Sequence, residues 1–272
     1  MDALTRHNQK RWDELVANNV RYSRPALDLD TETARLLVDP EGMMGRCQGR
    51  QVLCLAGGGG QQSAAYALLG AEVTVLDFCQ EQLERDRLTA DHYELSVLTV
   101  LGDMRDLSCF DASSFDIVHH AHSINFIPDP DKVFREVARV LRTDGLYRIS
   151  FTNPFVHGTW EDDWDGNGYP LHKTYADGEV LSSDPNWYIT DENGDEIAVE
   201  GPREFRHTLG TLFNELTARG FVVLGFWEDS LGDPDAEPGT WEHFNTVAAP
   251  WLTMWLRLNP RAFLPGQEPP RK

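Results

Sequence analysis

Four consecutive glycines, residues 57–60, follow a short apolar run at residues 52–55. A second apolar run, residues 73–76, ends in Asp77. Glycine has no Cβ, so a glycine run costs conformational entropy but lets the backbone turn sharply and approach another group closely. A strand, a glycine turn, a helix and a second strand ending in an acid are the first unit of many α/β folds. We therefore expect a ligand site at the carboxyl ends of these two strands.

The first half of the chain alternates between strand and helix patterns. Pro130 stands at a first-turn position that proline tolerates, and residues 142–145 predict the end of that helix and a turn. Strands that alternate with helices form a mostly parallel sheet with helices on both faces, so the predicted fold is α/β, doubly wound and Rossmann-like. The predicted strands are 51–56, 72–77, 97–101, 115–119 and 145–152, and the predicted helices are 61–69, 79–92 and 130–141.

The chain divides into four predicted regions. They are an N-terminal helical arm at 1–44, the Rossmann-like core at 45–152, a lid insert at 153–204, and a C-terminal part at 205–272 that completes and caps the sheet. An Asn-Gly pair within residues 191–195 predicts a hairpin whose strands cover the ligand edge. The remaining predicted elements are arm helices near 2–20 and 30–37, hairpin strands at 187–190 and 196–199, a helix at 205–219, a strand at 221–226, a loop at 233–239 and an apolar segment at 250–258.

Charge and composition exclude several classes of partner. With 24 Lys and Arg against 44 Asp and Glu, the formal charge of −20 repels nucleic acid and anionic membranes. No run approaches eighteen apolar residues, and the first residues lack a secretory signal pattern. The four cysteines form no Cys-x-x-Cys pair, which indicates free thiols in a reducing compartment, with neither a disulfide framework nor a zinc site. We expect a cytoplasmic protein with no nucleic-acid or membrane partner.

Several motifs occur in a fixed order along the chain. They are the glycine turn at 56–60, the strand-end acid Asp77, the Gly-Asp-Met-Arg-Asp-Leu run at 102–107, the strand Phe-Asp-Ile-Val-His at 115–119, and the helix 133–141 with the turn after it. Together they resemble the class I S-adenosylmethionine-dependent methyltransferases over about residues 45–155. The resemblance implies S-adenosylmethionine as cofactor and transfer of its methyl group to an oxygen or nitrogen of a small molecule by in-line displacement. It also implies a seven-stranded sheet with a reversed last strand, for which residues 221–226 are the candidate.

The resemblance also assigns cofactor contacts. The turn passes beneath the methionine part of the cofactor, Asp77 holds the two ribose hydroxyls, and Asp103 with the Met104 backbone meets the adenine edge. A carboxylate accepts hydroxyl and amine donors as no apolar side chain can. Asp77 argues against NADP, whose 2′-phosphate it would repel, though not against NAD. The predicted cofactor-binding residues are Ala56, Gly57, Gly58, Gly60, Gln62, Asp77, Phe78, Gln82, Asp103, Met104, Arg105, His119, Ser123, Tyr22 and Arg24.

The sequence departs from the family pattern at two positions. Cys54 stands where the family usually has an acid, and Ala56 stands where it has glycine. The amino group of the cofactor must therefore find another acceptor, and Gln61, Gln62 and backbone carbonyls are the candidates.

Three histidines, His119, His120 and His122, follow the strand that should end at the methyl group. A neutral imidazole can take a proton from a hydroxyl or amine, so His119 and His122 are the candidate general bases. The alternative is that these side chains are hydrogen-bonded wall or surface residues. No partnering acid or cysteine lies near them in the sequence, so a metal site is not predicted.

Aromatic residues suggest where an acceptor molecule binds. Seven of the eight tryptophans follow the core motifs, and aromatic rings suit a roof over an apolar or cationic acceptor, although packing of a small lid explains them equally well. Trp12, Tyr22 and Arg24 are expected either to fold across the cofactor or to pack the arm against the core, and the sequence favours neither. The predicted substrate-binding residues are Trp12, Phe126, Trp160, Trp187 and His207.

Other functions stay open from the sequence. The departures at Cys54 and Ala56 are compatible with a catalytically silent regulatory or interaction protein that still binds the cofactor. An aminopropyl transferase or an NAD oxidoreductase would also use an adenosyl ligand. A monomer and a homodimer are both possible.

Overall fold

A computed structural model describes residues 2–171, 173–180, 186–190, 196–229 and 232–259. Its centre is a seven-stranded sheet of order β10-β11-β5-β4-β1-β2-β3. The strands are β1 Gln51–Leu55, β2 Glu72–Asp77, β3 Val97–Leu101, β4 Phe115–His120, β5 Leu141–Thr152, β6 Gly178–Glu179, β7 Asn186–Thr190, β8 Glu196–Glu200, β9 Phe205–Arg206, β10 Phe221–Asp229 and β11 Trp251–Leu258. The predicted doubly wound α/β fold is confirmed.

The helices begin where the sequence supplies capping groups. Asp2 and Asp30 accept backbone hydrogen bonds at the starts of α1 and α2, and Pro130 opens α5. The helices are α1 Ala3–Ala17, α2 Thr31–Val38, α3 Gln62–Leu68, α4 Gln80–His92, α5 Pro130–Val140, α6 Leu209–Ala218 and α7 Trp241–Val247. Among the described helices, none combines the length and the apolar character needed to cross a membrane.

Two apolar clusters cover the two faces of the sheet. Leu53 and Leu55 belong to one cluster, with Phe134 of α5, while Val52 and Cys54 belong to the other, with Tyr66 of α3. Successive side chains of a strand point to opposite faces, so β1 supplies both clusters from its alternating residues. Because β1 pairs in parallel with β2 and β4, the carboxyl ends of the three strands lie at one edge of the sheet, between the two clusters.

The reversed strand is not the one that the sequence suggested. β11 pairs antiparallel with both β5 and β10, so β11 is reversed and β10 runs with the other strands. The prediction that residues 221–226 form the reversed strand is therefore wrong. Residues 250–258, predicted only as an apolar segment, supply it, because β11 lies between two strands and its residues 252–256 are all buried, without alternation.

Two local predictions are also corrected, and one helix was missed. Residues 142–145, predicted as a helix end and turn, lie inside β5, where the pairing with β4 is irregular and Asp144 has a φ of 65°. The predicted helix at 205–219 begins only at Leu209, because residues 205–206 pair with β6 as β9. Helix α7 was not predicted.

The hairpin strands of the insert are confirmed. β7 and β8 pair antiparallel, with Trp187 opposite Val199. The predicted turn at residues 191–195 lies outside the described residues.

Candidate active site

The glycine turn between β1 and α3 packs directly on α4. Gly59 and Gly60 have φ values of 118° and 78°, which glycine adopts without strain. A Cβ on Gly58 would lie 2.6 Å from Cβ of Gln82, and one on Gly60 would overlap the Thr89 hydroxyl. Close packing against α4 is therefore a second reason for these glycines, beside the approach of a ligand.

Asp77 at the end of β2 is buried beneath this turn. Its Oδ2 accepts a hydrogen bond from the Gly58 N–H at 3.0 Å, and its Oδ1 accepts one from the Cys79 N–H at 2.9 Å. Burial raises the pKa of Asp77 to about 6. Each carboxylate oxygen can accept a second hydrogen bond, so Asp77 can still bind hydroxyl donors.

A second buried acid, Asp86 of α4, was missed by the sequence analysis. It is fully buried, and its Oδ2 accepts from the Gly59 N–H at 3.1 Å. Its Oδ1 accepts from the Gly60 N–H at 3.1 Å and from the Ser63 hydroxyl at 2.5 Å. Burial raises the pKa of Asp86 to about 7. The available signal was its helical spacing from Leu83, which places an acid on the apolar side of α4.

One more polar group near the turn lacks a partner. The Oε1 atom of Gln82 is buried and makes no hydrogen bond within the part of the chain that the structure describes. It lies 3.2 Å from the position a Cβ on Gly59 would take. Asp77 and Gln82 both offer acceptors, so this part of the site fits a ligand rich in hydroxyl or amine donors, such as the ribose and ammonium groups of S-adenosylmethionine.

Asp103, which follows β3, is paired with Arg105. The Arg105 Nε lies 3.0 Å from Oδ1 of Asp103, and the same guanidinium binds Asp2 at 2.9 Å and the Thr5 hydroxyl at the start of α1. A cavity of about 420 Å³ lies here, lined by Asp2, Asp103, Arg105, Asp106 and Lys132. An adenine bound to Asp103 would share that carboxylate with Arg105.

The N-terminal arm lies over the end of β2 and the start of α4. The Gln9 side chain donates to the Phe78 carbonyl at 2.6 Å, and the Cys79 thiol donates to Asp13 at 3.1 Å. Arg85 of α4 donates to the Val16 carbonyl at 2.8 Å. These bonds leave Asp77 only 6% exposed, covered by the arm as well as by the turn.

The segment after α1 attaches to the other end of the glycine turn. The Gln61 Nε2 donates to the carbonyls of Tyr22 and Arg24 at 3.1 and 2.9 Å, so the Gln61 amide is used to hold this segment. The Arg24 Nε donates to the Asn19 carbonyl at 2.9 Å. The Tyr22 side chain is 60% exposed.

Three further predicted cofactor residues line the turn and the end of β4. The Ala56 N–H donates to the Leu76 carbonyl at 2.7 Å. Oε1 of Gln62 lies 3.8 Å from the place of a Cβ on Gly57. The Ser123 hydroxyl donates to the Ala121 carbonyl at 3.0 Å.

The three histidines have different surroundings. His119 and His120 are buried on opposite faces of the sheet, where Nδ1 of each lies within 2.9 Å of a tyrosine hydroxyl, Tyr66 and Tyr147 respectively. Burial holds the pKa of His119 well below its usual value and lowers that of His120 to about 3, so both are neutral. His122 is exposed beyond the end of β4, with its ring 4.8 Å from that of Trp251, and desolvation together with the charge of Arg148 lowers its pKa to about 4, so it is neutral as well. Of the three, His122 is the one open to an incoming molecule.

Four aromatic side chains meet beside the end of β4. The Trp12 ring lies 5.5 Å from Phe126 and 5.6 Å from Trp187, and Tyr22 lies 6.2 Å from Trp187, all edge to face. The side chain of Asn8 ties the arm to this region by donating to the Phe126 carbonyl at 3.1 Å. The arm, the loop after β4 and the hairpin therefore each contribute to one aromatic cluster of Trp12, Tyr22, Phe126 and Trp187.

Two predicted substrate residues do not join this cluster. The Trp160 ring contacts Trp241 of α7 at 6.4 Å. His207 is buried, and its Nε2 lies 3.2 Å from the Ile124 carbonyl, behind the loop after β4. His207 supports this loop, and Trp160 packs against the C-terminal part.

Comparison with known proteins gives a consistent result. Residues 53–149 match a family described as a methyltransferase domain. The chain is 33% identical over 245 residues to an uncharacterized methyltransferase, YbaJ of Bacillus subtilis, covering 85% of this chain and 93% of that protein. It is 32% identical over 105 residues to a ubiquinone biosynthesis O-methyltransferase of Xanthomonas oryzae, of which it covers 44%.

Solved structures share the fold. An S-adenosylmethionine-dependent methyltransferase from Mesorhizobium loti superposes with a TM-score of 0.66 at 20% identity, covering 85% of this chain and 100% of that one. One described as a putative enzyme of the same kind, from Listeria monocytogenes, gives 0.60 at 17% identity, covering 84% of this chain and 99% of that one. The strand order and the reversed β11 are thus those of a shared architecture.

Proposed function

We propose, from the premise that this chain belongs to the class I S-adenosylmethionine-dependent methyltransferases, that it methylates an oxygen or nitrogen atom of a small molecule. The aromatic cluster carries the proposal. It lies beside the end of β4, between the arm and the hairpin, where an acceptor would meet the methyl group. Aromatic walls favour a compact apolar or cationic acceptor over an extended polymer. The formal charge of −20 also disfavours nucleic acid.

The cofactor supplies an electrophilic methyl group on a positively charged sulfur. Asp77 would accept from its ribose hydroxyls, and Asp103 would accept from its adenine amine. The buried Oε1 of Gln82, beside Gly59, is an acceptor for one more donor, which matters because Cys54 stands where the family usually has an acid.

The protein's own contribution is mainly orientation and exclusion of water. Arm and hairpin close over the site through the aromatic cluster, which holds an acceptor in line and keeps solvent away. His122 would receive the proton of an acceptor hydroxyl or amine, and its exposure at the carboxyl edge of the sheet supports this role. His119 and His120 support the site from within, through their tyrosine partners.

A methyl-transfer screen tests this function. Purified protein is incubated with S-adenosylmethionine labelled in its methyl group and a library of phenols, amines, thiols and carboxylic acids. We expect labelled product from phenols or amines. Label found only in added RNA or protein would contradict a small acceptor, and tight cofactor binding without transfer to any library member would favour a silent binding protein.

A further inference from the structure

The glycine turn offers its backbone donors to two of the protein's own carboxylates. The Gly58 N–H is bonded to Asp77, and the Gly59 and Gly60 N–H groups are bonded to Asp86. Successive N–H groups in such a turn converge on one point and form a concavity that binds anions. In this protein a fully buried aspartate on α4 fills that concavity.

This arrangement changes which ligands the turn favours. A turn with free N–H groups attracts phosphate, as in dinucleotide-binding proteins. With its donors occupied and two carboxylates beneath it, the turn instead disfavours anions and favours a positive charge nearby. S-adenosylmethionine carries one positive charge more than its demethylated product, because its sulfur is a sulfonium whereas the sulfur of the product is an uncharged thioether.

We propose that Asp86 is a positioning and specificity-determining residue, whose carboxylate holds the glycine turn and favours the sulfonium cofactor over the neutral product. It acts through the turn and through its charge, without touching the reacting atoms. The inference concerns the cofactor end of the site and does not depend on the identity of the acceptor.

The groups around Asp86 determine how its charge responds to pH. Asp77 on β2 and Cys54 on β1 are the neighbouring titratable groups, and Asp13 of α1 faces Asp77 from the arm. Ser63 on α3 donates to the ionised form of Asp86. Burial raises the pKa of Asp86 to about 7, so its charge is partly lost at neutral pH. A bound sulfonium favours the ionised form, so affinity for the cofactor should rise with pH through 7, while affinity for the product should change less.

Calorimetric titration without acceptor tests the proposal. Dissociation constants for S-adenosylmethionine and S-adenosylhomocysteine are measured at pH 6, 7 and 8 for wild type, Asp86→Asn and the control Glu84→Gln. Glu84 lies on the same helix, is exposed and pairs with Gln80 and Arg87, away from the turn. In Asp86→Asn we expect about tenfold weaker cofactor binding at pH 8, a smaller loss for the product, and a flatter pH profile for the cofactor. The control should match wild type.

A second variant keeps the charge and removes one of its donors. Ser63→Ala leaves the Asp86 carboxylate in place, but the ionised form loses a hydrogen bond. The rise of cofactor affinity with pH should therefore move to higher pH. This variant also tests the proposal if Asp86→Asn does not fold.

Two results would overturn the proposal. Equal weakening of cofactor and product binding in Asp86→Asn would reduce Asp86 to a structural residue. If the dependence of cofactor affinity on pH were the same in Ser63→Ala and in wild type, the charge of Asp86 would have no part in selecting the cofactor. Failure of wild type to bind S-adenosylmethionine would instead count against the cofactor assignment, so the two failures are distinguishable.

Discussion

The surroundings of Asp77 and of the three histidines determine what each side chain can do. Asp77 is buried yet keeps acceptor positions beyond its two backbone bonds. His119 and His120 are buried with tyrosine partners, whereas His122 is exposed. Residue type alone suggested a role for each side chain. Burial then distinguishes the side chains that support the structure from the one that an incoming molecule can reach.

Replacing Asp77 tests the ribose contact. Asp77→Ala removes a charged acceptor of hydroxyl donors, so cofactor binding should weaken by about 1–3 kcal/mol. Isothermal titration of S-adenosylmethionine measures this loss directly, with Glu84→Gln as the unaffected control. Unchanged affinity would refute the placement of the ribose at Asp77.

Replacing the histidines separates a base from structural residues. His122→Ala should lower kcat by about 10²-fold with little change in stability, because an exposed base is lost. His119→Ala should reduce the free energy of unfolding by about 1–3 kcal/mol, because the buried Tyr66 hydroxyl loses its partner. Steady-state rates and urea unfolding of both variants measure the two effects. Wild-type rates in both, and in His120→Ala, would exclude histidine from the proton transfer.

At the scale of elements, the arm and the hairpin matter most, because neither belongs to the sheet and both reach the aromatic cluster. Arg11 of α1 pairs with Glu200 of β8 at 3.3 Å, which joins the two elements directly. The arm is further tied to α4 by Arg85 and to the loop after β4 by Asn8. Closure of the site therefore depends on contacts between elements that are far apart in sequence.

A pair of tryptophan variants tests whether this cluster binds the acceptor. Trp12→Ala opens the cluster and should lower kcat/KM for the acceptor by about tenfold or more, since a misplaced acceptor reacts slowly. Trp160→Ala is the matched control, because Trp160 contacts Trp241 outside the cluster and should leave kcat/KM unchanged. Equal effects of the two substitutions would show that the cluster has no special role.

At the scale of the whole molecule, buried titratable groups link stability to pH. The folded pKa values of Asp77 and Asp86, about 6 and 7, lie above the usual value of 3.8. The folded state therefore binds more protons than the unfolded chain, and the stability from these acids is lost as pH rises toward 7. Buried His119 and His120 have the opposite effect, since they lower stability as pH falls below about 6.5.

These opposing effects predict a pH dependence that can be measured. Between pH 6.5 and 8 ionisation of Asp86 should lower the unfolding free energy of ligand-free wild type by about 1 kcal/mol relative to Asp86→Asn. The histidines titrate in the unfolded chains of both proteins, so their contribution cancels in this difference. Urea unfolding at several pH values measures both slopes. Equal slopes for the two proteins would contradict a raised pKa at Asp86.

The sequence by itself determined the core of this fold and the strand ends at which the cofactor is proposed to bind. Apolar runs with the period of strands, separated by helical segments, located β1 to β5 and α3 to α5 within a few residues. The glycine turn, Asp77 and the Asp103 motif also stand at strand ends, where local order in the chain fixes their position. These strands, helices and strand-end residues are set by interactions between residues close in sequence, so the sequence alone predicts them.

The tertiary structure alone decided which strand is reversed, which acid fills the glycine turn, and which aromatic residues meet. Residues 252–256 of β11 are all buried and carry no alternating pattern, so only the pairing of β11 with β5 and β10 defines it as the reversed strand. Asp86 lies on α4 and reaches the turn only because α4 packs against it. Trp12 and Trp187 are far apart in the sequence but in contact in the fold, while Trp160 does not join them. Contacts between distant segments depend on packing, and no local pattern in the chain specifies them.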